Sequence, residues 1–461
     1  MKSTTEYTFY QEARAFLSLA LPLASAQVAQ ALTGFVDTVM MGWLGQLPLA
    51  AGGLAAMVFS SFVLTGTSAL ASVSALAAEA YGAGRPRYVG KIARQGLWVA
   101  LFMALISVPI MGHLQGGLNA LGQDPMVIPL AHSYLVVVRW GLLPALGFVV
   151  LRGTISAISS TRPIMVIVLA ATVLNGIGNY VLAFGKLGFP AMGLAGLGLA
   201  SAIAHWTMFL SLLAYLLWPQ TQKFRAYDFC QGWYRLDLQP LKRIVQVGWP
   251  IGLATFWEHG LFTVMTFWMG ILGTAVLAAN QIALQTVVVV FMVPLAFSQG
   301  ATIRVGQWLG QRNWPQIKQA ATVSIGLTTL FMAIAALALI VYPQALVGLY
   351  LDLNDPANAE TIRFSCTLLR VAGCGQIVDG FQRVMNGVLQ GLQDTRIPMI
   401  LGIAAYWGAG CTTGYWLGFH TALGGIGVWI GSYVGLTVAS ILFGARFYGH
   451  LQRKHPLNSP R

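Results

Sequence analysis

The hydrophobic positions of this 461-residue chain fall into long runs that are separated by short polar segments. Most runs exceed the roughly 20 residues that an α-helix needs to cross the hydrocarbon core of a bilayer. The pattern therefore predicts an all-α integral membrane protein with twelve transmembrane helices. The predicted spans cover residues 15–42, 50–80, 92–113, 128–151, 163–184, 193–218, 244–271, 275–303, 319–341, 362–390, 397–419 and 425–447.

The composition leads to the same protein class. Hydrophobic residues make up 57% of the chain and charged residues only 8%, whereas roughly a quarter of the residues in a soluble domain are charged. The 52 glycines also fit, because small residues let membrane helices pack closely. The composition therefore predicts that the chain is embedded in a lipid bilayer.

The net charge of +13 raises the question of nucleic-acid binding. The basic residues lie in short segments between apolar runs and form no long basic block, so nucleic acid is excluded as a partner. They follow the even-numbered spans, whereas the other loops have almost none apart from Lys186. This asymmetry predicts an even number of spans with both termini in the cytoplasm.

The two halves of the sequence resemble each other. Pro22 precedes Gly45 by the same spacing that separates Pro250 from Gly273, and further pairs recur at a nearly constant shift. The repeat predicts two pseudo-symmetric six-helix bundles that enter the membrane from the same side. Such parallel repeats occur in transporters, where the bundles rock around a central cavity.

The bundles define two predicted lobes. The N-terminal lobe covers residues 1–225 and the C-terminal lobe covers residues 226–461, with a basic cytoplasmic linker near 219–240. Alternating access between the lobes is the predicted mode of transport.

Three of the 13 acidic residues, Asp37, Glu258 and Asp379, lie inside predicted spans. An acid at the middle of a span costs about 2.5–3.5 kcal/mol on insertion scales, so each needs a compensating role. The usual roles are cation binding, proton relay or a structural ion pair. The terminal residue Glu12 is expected to be a solvated charge, and Glu79 is expected to pair with an arginine at a helix end.

Asp37 shares a polar helical stripe with Gln30 and Thr33. Asn175 and Asn179 form an i, i+4 pair on the fifth span, and we expect their amide oxygens to reach the same pocket. Carboxylate and amide oxygens suit a hard cation such as Na⁺, and a buried carboxylate also suits a proton.

Glu258 and Asp379 lie in the seventh and tenth spans. Without a paired cation Glu258 is expected to be partly protonated, because burial disfavours the charged carboxylate, and its neighbour His259 is expected to be a packing residue rather than a proton partner. Arg383 follows Asp379 by four residues, the spacing at which helical ion pairs form. The sequence therefore predicts an Asp379–Arg383 pair, which an arriving cation would have to compete with.

Several motifs are absent from the sequence. There is no phosphate-binding GxxxxGK[ST] loop, no HExxH or GxSxG motif and no Cys/His cluster with metal-ligand spacing. The chain is therefore expected to be neither an enzyme nor an ATP-driven pump, to need no cofactor, and to take its energy from an ion gradient. A channel and a flippase for a lipid-linked saccharide or another amphiphile are the alternatives.

An ordered set of short motifs resembles the multidrug and toxic compound extrusion (MATE) family, specifically its bacterial norfloxacin-exporting branch. These motifs are Thr33–Gly42, Gly82–Gly84, Leu151–Gly153 with Thr161–Pro163, Ala278–Gln281, Ile303–Gly306, and Gly387–Gly391 with Asp394 and Thr395.

The resemblance implies a Na⁺- or H⁺-coupled antiporter that exports cationic or amphipathic drugs. We expect the protein to lie in the bacterial inner membrane as a monomer. The resemblance also implies cation and drug binding by Glu258 and Asp379, which form one candidate Na⁺ site. Asp37 with Asn175 and Asn179 forms the second candidate site, in the other lobe.

The motif matches add Gln281 to the predicted cation- and drug-binding residues, together with Gln30 and Thr33 on the polar stripe of the first span. Small lipophilic cationic drugs are the expected partners. The resemblance leaves the choice between Na⁺ and H⁺ open.

Overall fold

The computed structural model describes residues 7–116, 125–218, 222–229 and 232–454. Within these residues there are twelve long helical segments and no β-strand. They are α1 Phe9–Trp43, α2 Gln46–Gly82, α3 Pro86–Gly112, α4 Val127–Ala157, α5 Arg162–Phe184, α6 Leu194–Leu217, α7 Leu238–Ile271, α8 Thr274–Gly310, α9 Trp314–Val341, α10 Ala359–Gly391, α11 and α12 Gly425–Lys454. The segment α11 consists of Arg396–Ile403, a π-helix Ala404–Cys411 and Thr412–Phe419.

Two segments contain local irregularities. A turn at Ala71 interrupts α2, and a 3₁₀ turn over Arg139–Gly141 interrupts α4. Short helices over Gln222–Arg225 and Pro343–Val347 lie in the connections. The predicted linker near 219–240 is described only in part, because residues 219–221 and 230–231 lie outside the described residues.

Nine of the described helices are long and apolar enough to cross a bilayer. The three remaining long segments, α7, α10 and α11, are not both long enough and apolar enough by the same measure. Two of them carry Glu258 and Asp379, and α11 contains the π-helix. The prediction of an all-α membrane protein with twelve helices is confirmed.

The chain forms two compact units. The first, here called the N-unit, is Ser25–Gly252; the second, the C-unit, is Met1–Ala24 together with Leu253–Arg461. Each boundary therefore falls inside a helix, α1 or α7, rather than in the linker. The predicted lobes, residues 1–225 and 226–461, divide the chain by the order of its spans and not by contacts. This division stays a prediction.

An internal proline precedes each unit boundary by the same distance. Pro22 lies inside α1 and Pro250 lies inside α7, and in both helices the unit ends two residues later. Proline removes one backbone hydrogen bond of a helix and weakens it locally. The sequence repeat thus marks the places where α1 and α7 pass from one unit to the other.

The N-unit is built around α6, which packs against α4 and α5. The beginning of α7 also belongs to it, because Gly248 lies directly against the backbone carbonyl of Ala69 in α2. A Cβ atom at residue 248 would come within 2.2 Å of that oxygen. Only glycine allows this approach between two helices, which explains why residues beyond the predicted lobe boundary join the N-unit.

The C-unit is built around α10, which packs against α8, α9 and α12. The beginning of α1 joins it through Phe16, which is buried and meets Phe297 of α8 edge to face with ring centroids 5.4 Å apart. An offset or edge-to-face arrangement of this kind is favoured over a face-to-face stack. Residues 9–24 therefore complete the C-unit although they are distant from it in sequence.

The expectation that Glu12 is a solvated charge is wrong. Glu12 is completely buried in the C-unit. Arg304 of α8 binds it with two guanidinium nitrogens, of which Nε lies 2.7 Å from Oε1, and the Trp308 indole donates a hydrogen bond to Oε2 at 3.2 Å. The buried charge is compensated by a partner 292 positions away in the sequence.

Candidate functional site: two buried polar clusters

The N-unit holds a polar cluster around Asp37 of α1. Asn179 of α5 donates a hydrogen bond from Nδ2 to Asp37 Oδ1 at 2.5 Å, and Ser201 of α6 donates from Oγ to Oδ2 at 3.3 Å. Asn175 accepts from Asn179 at 3.2 Å and donates to Ser201 at 3.3 Å. Three helices therefore converge on one carboxylate, and the structure brings Asp37, Asn175 and Asn179 together as the sequence predicted.

The polar stripe of α1 is only partly joined to this cluster. Thr33 contacts Thr172 of α5, with 3.0 Å between the hydroxyl oxygens, one helical turn before Asp37. Gln30 is half-buried another turn earlier. In the part of the chain that the structure describes, no hydrogen bond links Gln30 to Asp37.

The charge of Asp37 has no basic partner. No Lys, Arg or His nitrogen of the described residues lies within 4.0 Å of its carboxylate. Beside it, the amide oxygen of Asn179 is buried and accepts no hydrogen bond. A carboxylate, an unused amide oxygen and a hydroxyl are the ligand types that hard cations take, and the carboxylate alone can take a proton.

The C-unit holds a second cluster, which is centred on an ion pair between α7 and α10. Arg383 Nη2 lies 2.5 Å from Glu258 Oε1, and both side chains are mostly buried. The Arg383 guanidinium also lies over the Phe291 ring of α8, 4.8 Å from its centroid. Glu258 therefore has a paired cation, supplied by an arginine from another helix, and is not the unpaired acid for which partial protonation is expected.

The predicted Asp379–Arg383 pair does not form. Within the described residues no basic nitrogen lies within 4.0 Å of the Asp379 carboxylate, although Arg383 follows it on the same helix. The physical reason is that Arg383 is directed toward α7, where Glu258 binds it. Asp379 consequently stays an acid without a salt bridge, which is the situation of Asp37 in the N-unit.

Unpaired amide groups surround Asp379. Gln376, one helical turn before it, is fully buried and neither its amide nitrogen nor its amide oxygen makes a hydrogen bond of standard geometry, although the Tyr433 side chain of α12 lies beside it. Gln382 is also fully buried; its nitrogen donates to the Tyr406 hydroxyl, but its oxygen has no partner. Buried polar atoms without partners are rare in proteins, and here they point to a ligand or water.

Aromatic side chains line the same region. Trp407, which belongs to the π-helix of α11, donates its indole hydrogen to the Trp257 carbonyl oxygen at 3.0 Å. The two rings meet edge to face with centroids 5.5 Å apart. A π-helix is rare and occurs frequently at functional sites. Here it places Tyr406 against the Gln382 amide and Trp407 against the helix that carries Glu258.

Two residues considered in the sequence lie apart from these contacts. Gln281 is exposed on α8 and makes no hydrogen bond to either cluster within the described residues. His259 is exposed beside Glu258. No group of three or more His, Cys, Asp or Glu side chains meets among the described residues, so a cation bound to one of these carboxylates would take its other ligands from amide, hydroxyl or carbonyl oxygens.

Sequence reasoning missed Ser201 and Tyr406. Ser201 contacts Asp37 across 164 positions, and Tyr406 contacts Gln382 from a neighbouring helix. Serine and tyrosine are common in membrane helices, so neither residue type is a signal by itself. Their roles depend on how the helices are rotated against each other.

Comparison with known proteins agrees with these features. The MatE family profile matches residues 22–181 and 250–416, which are equivalent stretches of the two halves. The chain is 55% identical over 446 residues to a probable multidrug resistance protein NorM of Synechocystis sp., covering 97% of this chain and 96% of that protein. It is 46% identical to a probable multidrug resistance protein NorM of Synechococcus sp., covering 95% and 94%.

The fold is also known from solved structures. An outward-facing multidrug resistance MATE family transporter of the MOP superfamily superimposes with a TM-score of 0.88 at 18% identity, covering 96% of this chain and 97% of that one. Fold and buried polar clusters define a multi-pass helical membrane transporter. The chain belongs to the MatE family and groups with its bacterial NorM members.

Proposed function

We propose that the protein is a cation-coupled antiporter that exports cationic or amphipathic drugs by alternating access. The observation that carries the proposal is the Asp37 carboxylate, which is held by Asn179 and Ser201 in the N-unit without a basic partner. An uncompensated acid inside a membrane protein is costly, so it is expected to bind and release a small cation. The names of the NorM relatives support drugs as the exported class.

The two clusters support different parts of this function. The Asp37 cluster offers oxygen ligands and no competing cation, so it fits Na⁺ or H⁺ as the coupling ion. In the C-unit, Glu258 already has Arg383 as a counter-ion, and a metal ion at Glu258 would have to displace that guanidinium. We assign Asp379, which has no salt bridge, to the binding of the charge of the cationic drug, and Glu258 with its partner Arg383 to the polar wall of this site beside Trp257 and Trp407.

The coupled cycle follows from charge neutralisation. When Asp37 and Asp379 are ionised, a lipophilic cation is attracted to the transporter interior. Binding of an external cation neutralises a carboxylate, which weakens the hold on the drug and favours its release. A membrane potential of 100 mV contributes about 2.3 kcal/mol for each charge moved.

The test is drug efflux from proteoliposomes under an imposed Na⁺ gradient and, separately, an imposed H⁺ gradient. We expect one of these gradients to drive uphill efflux in the wild type and not in Asp37→Asn. Glu360→Gln is the matched control, because Glu360 is an exposed acid on α10 and should leave efflux unchanged. Drug flux that never exceeds its electrochemical gradient would indicate a channel and would refute the antiporter.

A flippase would give a different result in the same proteoliposomes. Transfer of a lipid-linked saccharide between leaflets that does not respond to either ion gradient, together with absent drug efflux, would favour it over the exporter. Wild-type efflux from both Asp37→Asn and Asp379→Asn would overturn the proposed roles of the two acids.

A further inference from the structure

A basic cleft lies on the N-unit, away from both polar clusters. Its walls are the connection between α2 and α3, together with the segment that follows α6. The cleft is open to its surroundings, has a volume of about 560 Å³ and is lined by Arg85, Pro86, Arg87, Tyr88, Arg225, Ala226 and Asp228. This volume falls within the roughly 300–1,000 Å³ range of small-molecule sites.

The charges in the cleft are unbalanced, with three guanidinium groups against one carboxylate. Asp228 pairs with Arg87, with 3.2 Å between the carboxylate oxygen and Nε, while the Arg87 side chain stays 87% exposed. Arg225 is exposed, and no acidic oxygen of the described residues lies within 4.0 Å of it. The cleft therefore keeps positive charge that the protein itself does not neutralise.

The wall that carries Arg225 and Asp228 is held in place by one face of α3. Arg94 donates to the Asp228 carbonyl oxygen, Gln95 donates to the Arg235 carbonyl oxygen at 2.9 Å, and the Trp98 indole donates to the carbonyl oxygen of residue 233 at 3.1 Å. The donors at positions 94, 95 and 98 lie on one side of the helix because helical neighbours are three and four residues apart.

A glycine on the same helix allows the closest contact. A Cβ atom at Gly90 would lie 1.8 Å from the Tyr227 carbonyl oxygen, so a larger residue would push the segment away. The segment is thus packed against α3 through its backbone, which fixes where the backbone of Arg225 and Asp228 stands beside α3.

Exposed aromatic residues lie on the two chain segments that form the cleft walls, at the end of α2 and after α6. Tyr81 at the end of α2 is 39% exposed, and Trp233 and Tyr234 are 67% and 62% exposed. Trp and Tyr are enriched at the membrane–water interface, where the phosphate groups of lipids lie. The Arg85 guanidinium lies over the Tyr88 ring, 5.8 Å from its centroid. Its Nη2 is 4.0 Å from the Glu79 carboxylate, which Arg243 binds more closely at 2.8 Å, and the Arg85 side chain stays 58% exposed.

We propose that this cleft binds the phosphate headgroup of an anionic phospholipid. Guanidinium groups match phosphate oxygens in charge and in bidentate geometry, and basic pockets at the cytoplasmic ends of helices are typical sites for anionic lipid headgroups. The charge complementarity of Arg85, Arg87 and Arg225 and the interfacial aromatics together favour a lipid over a soluble phosphate. A bound headgroup would connect α3 to the segment after α6.

The test uses the full-length protein, delipidated in a mild detergent and titrated with phosphatidylglycerol or phosphatidylcholine. Native mass spectrometry counts the lipids that stay bound. We expect selective retention of phosphatidylglycerol, and we expect Arg225→Gln to weaken it about fivefold, the effect of one basic residue near a lipid surface. Lys318→Gln is the matched control, because Lys318 is an exposed basic residue of the C-unit and should bind lipid like the wild type.

A second variant gives an effect of opposite sign. Asp228→Asn removes the carboxylate that competes for Arg87, so it should tighten phosphatidylglycerol binding. Asparagine tolerates the positive φ of 50° at this position, which keeps the backbone in place. An unchanged affinity in both Arg225→Gln and Asp228→Asn, or equal retention of the two lipids, would overturn the proposal. Displacement of the lipid by an equal concentration of inorganic phosphate would overturn the lipid as the ligand.

Discussion

Arg383 of α10 binds Glu258 of α7, with 2.5 Å between Nη2 and Oε1, instead of binding the aspartate on its own helix. The pair joins two helices of the C-unit across 125 positions of the sequence. It gives the C-unit an internal cation beside the proposed drug site, and it leaves Asp379 without a salt bridge. The N-unit has no such internal cation beside Asp37 within the described residues.

The first prediction concerns this pair. Arg383→Gln leaves the mostly buried Glu258 without its counter-ion and should reduce the free energy of unfolding by about 3 kcal/mol. The double variant Glu258→Gln with Arg383→Gln should recover most of this loss, because no charge is left unpaired. Melting temperatures of the purified proteins measure both effects, and Arg370→Gln, at an exposed site of α10, is the control. Equal melting of Arg383→Gln and wild type would contradict the prediction.

A second prediction tests Ser201 as a positioning residue for Asp37. Ser201→Ala removes one hydrogen bond to the carboxylate, which typically contributes about 0.5–1.5 kcal/mol. The cation concentration for half-maximal efflux should therefore shift by about 2- to 13-fold. The melting temperature should fall slightly, because the buried Asn175 amide also loses its acceptor. Ser61→Ala removes an exposed serine of α2 and should leave both quantities unchanged. No shift in cation dependence would exclude Ser201 from the site.

Gln376 allows a test that separates ligand binding from structure. A buried amide that makes no hydrogen bond of standard geometry costs about 1–3 kcal/mol, so Gln376→Met should melt at or above the wild-type temperature. If the amide faces the drug or its water shell, the same variant should transport less efficiently. Proteoliposome efflux and thermal melting of one preparation give both readouts. A stable variant with wild-type efflux would show that Gln376 has no part in transport.

The Glu12–Arg304 pair predicts a stability effect outside the transport site. Glu12→Gln should lower the free energy of unfolding by about 3–5 kcal/mol, because it leaves the buried Arg304 charge without its partner. The indole of Trp308 also loses a charged acceptor, so the tryptophan fluorescence of the folded protein should change. Glu360→Gln provides the comparison for an exposed glutamate. A melting temperature within error of wild type would contradict the buried pair.

The last prediction concerns Asp394, which lies in the connection between α10 and α11. Burial raises the pKa of this carboxyl, but hydrogen bonds from His450 and Arg446, both 2.7 Å long, outweigh burial and hold the pKa below its usual value. A lowered pKa in the folded state contributes stability that is complete above the unfolded value near 3.8 and is lost as the pH falls through the folded value.

Thermal melting between pH 3 and pH 6 therefore checks the role of Asp394. This range surrounds the ordinary carboxyl pKa of about 4. The melting temperature of wild type should fall more steeply toward the acid end than that of Asp394→Asn, which has no proton to take up at this position. Parallel pH profiles of the two proteins would contradict the prediction.

The sequence predicted the class of fold because the free energy of inserting a helix into the bilayer depends on the residues of that helix alone. Apolar runs of sufficient length fix where the helices lie, and the spacing of Pro22 and Pro250 revealed the repeat that the two units share. The same local reasoning located the three intramembrane acids. It also predicted that Asn175 and Asn179 face Asp37, because an i, i+4 pair lies on one side of a helix.

The sequence by itself thus determined the twelve helices, their order and the acids that require an explanation. The tertiary structure decided which partners those acids have. Arg383 binds Glu258 rather than Asp379, Arg304 neutralises Glu12 from 292 positions away, and Ser201 reaches Asp37. These choices depend on the rotation and packing of whole helices against one another, and no local pattern of residues encodes that rotation.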